Sequence, residues 1–411
     1  MSNSADLATL RRLIPNATES QLEKVTESSD SDNNSAVTRP TDLYRSTLRP
    51  SLFDYQLELA QKLLSVYESR GQALISLPTG AGKTRTAVYG VLEILKKNPS
   101  ARIVWLAPTI ELLDQAHDTL VSLWKDFGDV AELHVSRSLP GFNFAGVWVS
   151  TPQAIHKIED KALLGNWDLI VFDEAHQAVA NTFKRSIVDL RGAELRRAAL
   201  VGLSATPGRT GDEATRALVD LFQDNLLIST KLGSHPVEFL QTRAILANLK
   251  FNLLSNVDSA VDDFERLRVL HIKTSELVSS GRKCLIFTRS ISDAKILTAA
   301  LKAFGVSAEF VDGELPDSER QARLGRFATG ETDVIVNQKL LTTGYDCPAV
   351  SDILIQHKIS SSILFEQIVG RAARGPMTGG EHESRIWQFD DHLAIHGLPS
   401  SYYRYKDFEW S

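Results

Sequence analysis

Eight residues constrain this chain more than any others: Leu77-Pro78-Thr79-Gly80-Ala81-Gly82-Lys83-Thr84. They stand between Ala73–Ser76, a run of strand character, and Thr84–Lys97, a stretch with helical spacing. Gly80 and Gly82 let the backbone curl around Thr79 and Ala81 so that successive amides face phosphate oxygens. Lys83 is placed to reach the β- and γ-phosphates of ATP, and the Thr84 hydroxyl to ligate Mg²⁺. The helix that starts here adds the favourable field of its N-terminus. Leu77 departs from the general phosphate-loop pattern, which has its first glycine at that position.

The second constraint is Leu169-Ile170-Val171-Phe172-Asp173-Glu174-Ala175-His176. An apolar strand that ends in two adjacent carboxylates is the usual companion of a phosphate loop. Asp173 is suited to hold Mg²⁺ through water, and Glu174 to polarise an attacking water as general base.

Around these motifs the chain alternates short apolar runs with helical patterns. Strands are expected at Ala73–Ser76, Ile103–Leu106, Val147–Ser150, Leu169–Phe172 and Leu200–Leu203. A second series is expected at Cys284–Phe287, Ala308–Val311, Val334–Val336, Ile353–Ile355 and Ile386–Phe389. Near-continuous apolar strands separated by helices predict parallel sheets covered on both faces. The fold class that follows is α/β, with two doubly wound parallel-sheet domains in tandem. The turn-rich bridge Thr230–Pro236 places the boundary, giving an N-terminal tail at 1–47 and domains at 48–235 and 236–411. Within the tail, Ser28–Ala36 reads as a disordered linker.

At 411 residues the chain is long enough for two cores. Its two cysteines, Cys284 and Cys347, exclude a cysteine-rich zinc module and suit a reducing cytoplasm. No apolar run reaches the roughly 18 residues of a membrane span. A net charge of −6 argues against bulk electrostatic attraction to duplex DNA, so any nucleic-acid contact must use a local groove.

The two motifs, with Asp-Glu-Ala-His as the second, resemble those of superfamily 2 helicases, and the remaining motifs of that group follow in order from about residue 48 to 375. The resemblance implies two RecA-like lobes, ATP and Mg²⁺ as cofactors, and nucleic acid as partner. It implies that Gln56 reads the adenine edge with paired hydrogen bonds. Ala107-Pro108-Thr109 and Ser150-Thr151-Pro152 match the loops that hold a phosphodiester backbone, which implies contacts from Pro108, Thr109 and Thr151. Ser204-Ala205-Thr206-Pro207 matches the element linking hydrolysis to lobe movement, with His176 as its relay. Phe287-Thr288-Arg289 resembles the fourth motif. Thr343-Gly344-Tyr345-Asp346-Cys347-Pro348 resembles the fifth, implying Thr342 as a strand contact and Gly344 and Asp346 as nucleotide contacts. Gln367-Ile368-Val369-Gly370-Arg371-Ala372-Ala373-Arg374 resembles the sixth.

On a continuous helix, Gln367, Arg371 and Arg374 sit at offsets of four and three and project from one face. Such a face suits the neutralisation of charge on a transferred phosphoryl group. Gly-Arg-Ala-Ala-Arg resembles the motif of UvrB-type repair helicases and restriction-enzyme motors, which favours DNA over RNA. The alternative is a non-unwinding motor or switch subunit that works beside a protein partner such as a nuclease or repair factor. Asp390, Asp391, His392 and His396 read as a surface turn, and the terminal SYYRYKDFEW as a tail packed on its own lobe.

Overall fold

The computed structural model describes residues 52–127, 132–191, 197–208, 212–254, 263–338, 350–359 and 361–389. The tail at 1–47, Thr342, Gly344, Asp346 and the segment from Asp390 onward lie outside the described residues. The described chain forms two compact units, which meet in sequence between Leu240 and Gln241.

The first unit runs α1 (Asp54–Glu68), β1 (Gln72–Ser76), α2 (Lys83–Lys97), β2 (Arg102–Leu106), α3 (Ile110–Lys125), β3 (Val135–Ser136), β4 (Gly146–Ser150), α4 (Pro152–His156), β5 (Leu169–Asp173), α5 (Asn181–Arg191), β6 (Ala199–Ser204), α6 (Asp212–Leu221), β7 (Leu226–Leu227) and α7 (Pro236–Thr242). Its strands form one 7-stranded sheet in the order β3-β4-β2-β5-β6-β1-β7. Every pairing in it is parallel. β1, β4, β5 and β6 are buried along their whole length, which is why they read as uninterrupted small and apolar runs. Leu74, Val104, Trp148, Ile170, Phe172, Leu200 and Phe222 form the core on one face of this sheet.

The second unit runs β8 (Asn248–Leu253), α8 (Asp263–Ser279), β9 (Cys284–Phe287), α9 (Ile291–Ala303), β10 (Ala308–Val311), α10 (Asp317–Thr329), β11 (Val334–Asn337), β12 (Asp352–Ile355), α11 (Ser362–Val369) and β13 (Glu383–Gln388). Its 6-stranded sheet has the order β10-β11-β9-β12-β13-β8, again parallel throughout. Leu270, Ile286, Leu297, Val336 and Leu354 centre its core. Two doubly wound α/β domains are therefore what the alternating pattern builds. β3, β7 and β8 were not expected. Two of these are only two residues long, and β8 is an edge strand that alternates polar with apolar residues and has no fully buried position. Among the described residues, no helix is long and apolar enough to cross a membrane.

Candidate nucleotide site and its neighbours

The phosphate loop leaves the C-terminal end of β1, where ligands of open parallel sheets bind. Gly80 and Gly82 take φ of 85° and 83°, the left-handed region that other residues avoid. A β-carbon on Gly82 would also lie 2.5 Å from Gln56 Nε2, so a substitution here would displace the Gln56 amide as well as strain the backbone. The loop is closed by Ala81 N donating to Pro78 O at 3.0 Å. Its carbonyl at Ala81 is then held from α1 by two donors, Tyr55 Oη at 2.9 Å and Gln56 Nε2 at 3.0 Å. Gln56 Oε1 accepts from Phe53 N at 3.1 Å, which fixes the amide orientation. Tyr55 is fully buried, and sequence reading missed it because its partner lies 26 residues away.

Asp173 ends β5 beside this loop and is 1% exposed. Thr84 Oγ1 donates to its Oδ2 at 3.2 Å, and Glu174 N donates to its Oδ1 at 3.0 Å. Burial and the neighbouring Glu174 charge push its pKa up to about 6, against the opposing pull of Lys83 and the two hydrogen bonds. A hydroxyl and a buried carboxylate in contact are a suitable donor pair for Mg²⁺, which takes few protein ligands and completes its shell with water and phosphate. Among the described residues there is no group of three or more His, Cys, Asp or Glu side chains placed to hold a metal ion.

Glu174 has φ 53°, a left-handed conformation uncommon for a side chain of this size. Its Oε2 lies 3.3 Å from His176 Nδ1, which is 3.4 Å from Ser204 Oγ. The hydrogen of Ser204 goes to Thr206 O at 2.8 Å, while Thr206 N donates back to Ser204 Oγ at 3.1 Å. Acid pair, histidine and the Ser204-Thr206 turn form one connected network.

Sheet order lays these groups out in sequence. Thr109 follows β2 and Thr151 follows β4, two adjacent strands; β5 and β6 carry the acid pair and Ser204; β1 carries the phosphate loop. Both threonine hydroxyls cap helices, Thr109 accepting from Leu112 N at 3.4 Å and Thr151 from Ala154 N at 3.2 Å. The His176–Ser204 network therefore sits on the strands between the threonines and the phosphate loop.

In the second unit, α11 ends at Val369 and a 3₁₀ turn covers Gly370–Ala372. Gln367 is on the α-helix, but Arg371 and Arg374 are not, so the expected single helical face is corrected. The cause is long-range. Ala247 N donates to Ala373 O and Gly375 N to Ile245 O, both at 2.9 Å, and Arg374 bridges antiparallel to Leu246. That pairing draws the chain out of helix. Gln367 Nε2 is buried with no hydrogen-bond partner among the described residues.

Residues 49–209 match the family model described as type III restriction enzyme, res subunit, and residues 263–376 match the helicase conserved C-terminal domain. The chain belongs to the superfamily 2 helicases. Each of its two units is a RecA-like lobe. It is 24% identical to helicase 22 of a Sulfolobus islandicus filamentous virus, over 78% of this chain and 61% of that protein. It is 25% identical to the ATP-dependent helicase IRC3 of Saccharomyces cerevisiae, over 79% of this chain and 50% of that protein. The chain thus spans between half and two thirds of the length of these relatives. In fold it is similar to S. cerevisiae Dbp5 bound to RNA and ADP BeF3, with TM-score 0.61, 18% identity, and coverage of 96% of this chain and 90% of that one. It is also similar to the DUF1998 helicase MrfA bound to DNA, with TM-score 0.59, 17% identity, and coverage of 85% and 53%.

The helicase chain holds one more polar centre that its sequence did not announce. Gln356, fully buried after β12, accepts from Arg289 N at 2.9 Å and donates to Asp293 Oδ2 at 3.0 Å. Arg289 also pairs with Asp263. The fourth motif is thereby tied to α8 and α9 by side chains spread over the chain from 263 to 356.

Proposed function

We propose that this helicase binds ATP with Mg²⁺ and couples its hydrolysis to movement along nucleic acid, DNA in preference to RNA, in the cytoplasm. The observation that carries the ATP half is the contact of Thr84 with buried Asp173 beside a phosphate loop pinned at Ala81. Thr79, Gly80, Ala81, Gly82 and Lys83 bind the phosphates, and Thr84 and Asp173 hold Mg²⁺, which when bound would neutralise phosphate charge. Glu174 orients and deprotonates the attacking water. Gln367, Arg371 and Arg374, with Gly344 and Asp346, serve the nucleotide from the second lobe, the arginines neutralising charge on the transferred phosphoryl group. Pro108, Thr109, Thr151 and Thr342 hold the strand backbone, and His176, Ser204 and Thr206 relay the state of the γ-phosphate toward it.

A restriction-type motor that translocates beside a separate nuclease or repair factor is the second reading. It is favoured by the res-subunit match over residues 49–209. The test is ATP turnover measured in parallel with single-stranded DNA, duplex DNA and RNA at stated salt. Turnover that rises most with DNA supports the proposal; equal stimulation by RNA removes the DNA preference. Strand displacement by the isolated chain separates unwinding from translocation alone.

A further inference from the structure

The segment joining the lobes is held at both of its ends, by contacts that the proposed function does not use. At its start, the Glu58 carboxylate of α1 accepts from Ser229 Oγ at 2.6 Å, Thr230 N at 3.1 Å, Thr230 Oγ1 at 3.1 Å and Lys231 N at 3.4 Å. Lys62, one turn on, pairs with Glu58 at 2.9 Å and donates to Ile228 O at 2.8 Å. Hydrogen bonds from Ser229, Lys62 and Thr230, with the Lys62 charge, outweigh burial and hold the Glu58 pKa down at about 2. The same helix supplies Tyr55 and Gln56 to the Ala81 carbonyl. One rigid element therefore grips the phosphate loop and the start of the connector together.

At the other end, Ala244–Ala247 is bound to the segment that carries Arg374. Gly375 N donates to Ile245 O at 2.9 Å, Met377 N to Ala244 O at 2.9 Å, and Thr378 Oγ1 to Ile245 O at 3.2 Å. The approach is so close that a β-carbon on Gly375 would lie 2.4 Å from Ala244 O. Gln241 Nε2 closes the turn onto Ala247 O at 3.1 Å.

We infer that residues 228–247 act as a connecting strut anchored at each end within its own lobe, with Glu58 and the Gly375–Thr378 turn as positioning residues that couple nucleotide occupancy to nucleic-acid binding. A connector with loose ends would absorb lobe displacement as slack; one pinned at both ends transmits it. This inference rests on the ATP-dependent reading of the site and adds the parts that carry its signal between lobes.

Coupling is a free energy, so it is measured as the factor by which one ligand changes the affinity of the other. The probe is a non-hydrolysable ATP analogue titrated into the full chain without and with saturating single-stranded DNA. The wild-type chain is expected to show a factor of roughly 5- to 150-fold. In Glu58→Gln a single acceptor oxygen replaces two and an amide faces donors. That variant, and the near-isosteric Thr378→Val, should bring the factor close to one. Affinity for the analogue alone should stay within about twofold, a split that general destabilisation does not produce. Gly375→Ala should likewise bring the factor close to one. Wild-type coupling in both Glu58→Gln and Thr378→Val overturns the strut; so does a loss confined to analogue affinity. Absence of Lys83-dependent analogue binding in the wild-type chain instead overturns the ATP reading, and the strut with it.

Discussion

The two lobes share an architecture but hold their functional groups by different means. In the first, side chains hold side chains: Thr84 against Asp173, and Glu174, His176 and Ser204 in one network. In the second, the arginines stand just past the end of α11 on a stretch fixed by backbone pairing to Leu246 and Ala247. A site held by side chains is prebuilt within one lobe and is broken by single substitutions. A site held by backbone is set by the course of the chain, and it changes most when that course changes. The first arrangement thus leaves its groups little freedom, whereas the second follows the backbone that carries it.

That contrast predicts an ordered series of effects. Lys83→Ala and Glu174→Gln should abolish ATP turnover, measured as phosphate release; full basal turnover in Glu174→Gln would sink its role as base. Next, Arg371→Ala or Arg374→Ala should lower kcat by roughly 10³- to 10⁵-fold while analogue binding persists. If both variants instead lose only binding, the arginines act as ground-state clamps and not on the transferred group. Ser204→Ala breaks the middle of the network, and stimulation by nucleic acid should fall by roughly 5- to 150-fold with basal turnover retained. Tyr55→Phe removes one of two donors to Ala81 O. A net loss of about 1 kcal/mol is expected, read as an ATP KM raised about fivefold.

The smallest effect is on stability. Glu58 titrates at about 2 in the folded chain, below its ordinary value of 4.5. A depressed carboxylate contributes stability that is fully present above the unfolded value and lost as pH falls through the folded one. Its contribution should therefore be complete above about pH 4.5 and lost progressively down to about pH 2. Acid unfolding of Glu58→Gln should be shallower across that window, and an unchanged slope would refute the assignment.

Much of this was legible from local pattern. Strands buried on both faces must be apolar, so β1 was expected at Ala73–Ser76 and lies at Gln72–Ser76, and the strand expected at Cys284–Phe287 is β9 itself. The phosphate loop and the acid pair are each contiguous in sequence, and the structure brings Thr84 into contact with Asp173. What escaped depends on partners far away in sequence. Glu58 meets Ser229 across 171 residues, and the helix expected through Arg374 is interrupted by a pairing with Leu246. Helical offsets describe a segment that bonds to itself, and they fail where another segment competes for its backbone.

The fixed amide of Gln56 carries one last consequence, for choice of fuel. With Oε1 already facing Phe53 N and Nε2 facing Ala81 O, the group is held against flipping. One lone pair and one hydrogen remain to it, a pattern that complements the N6 donor and N7 acceptor of adenine. Guanine presents acceptors at both positions, so its O6 would confront Oε1 with no proton between them. If Gln56 serves the adenine edge, as the resemblance implies, the helix cap that starts α1 would also be the device by which ATP is told from GTP.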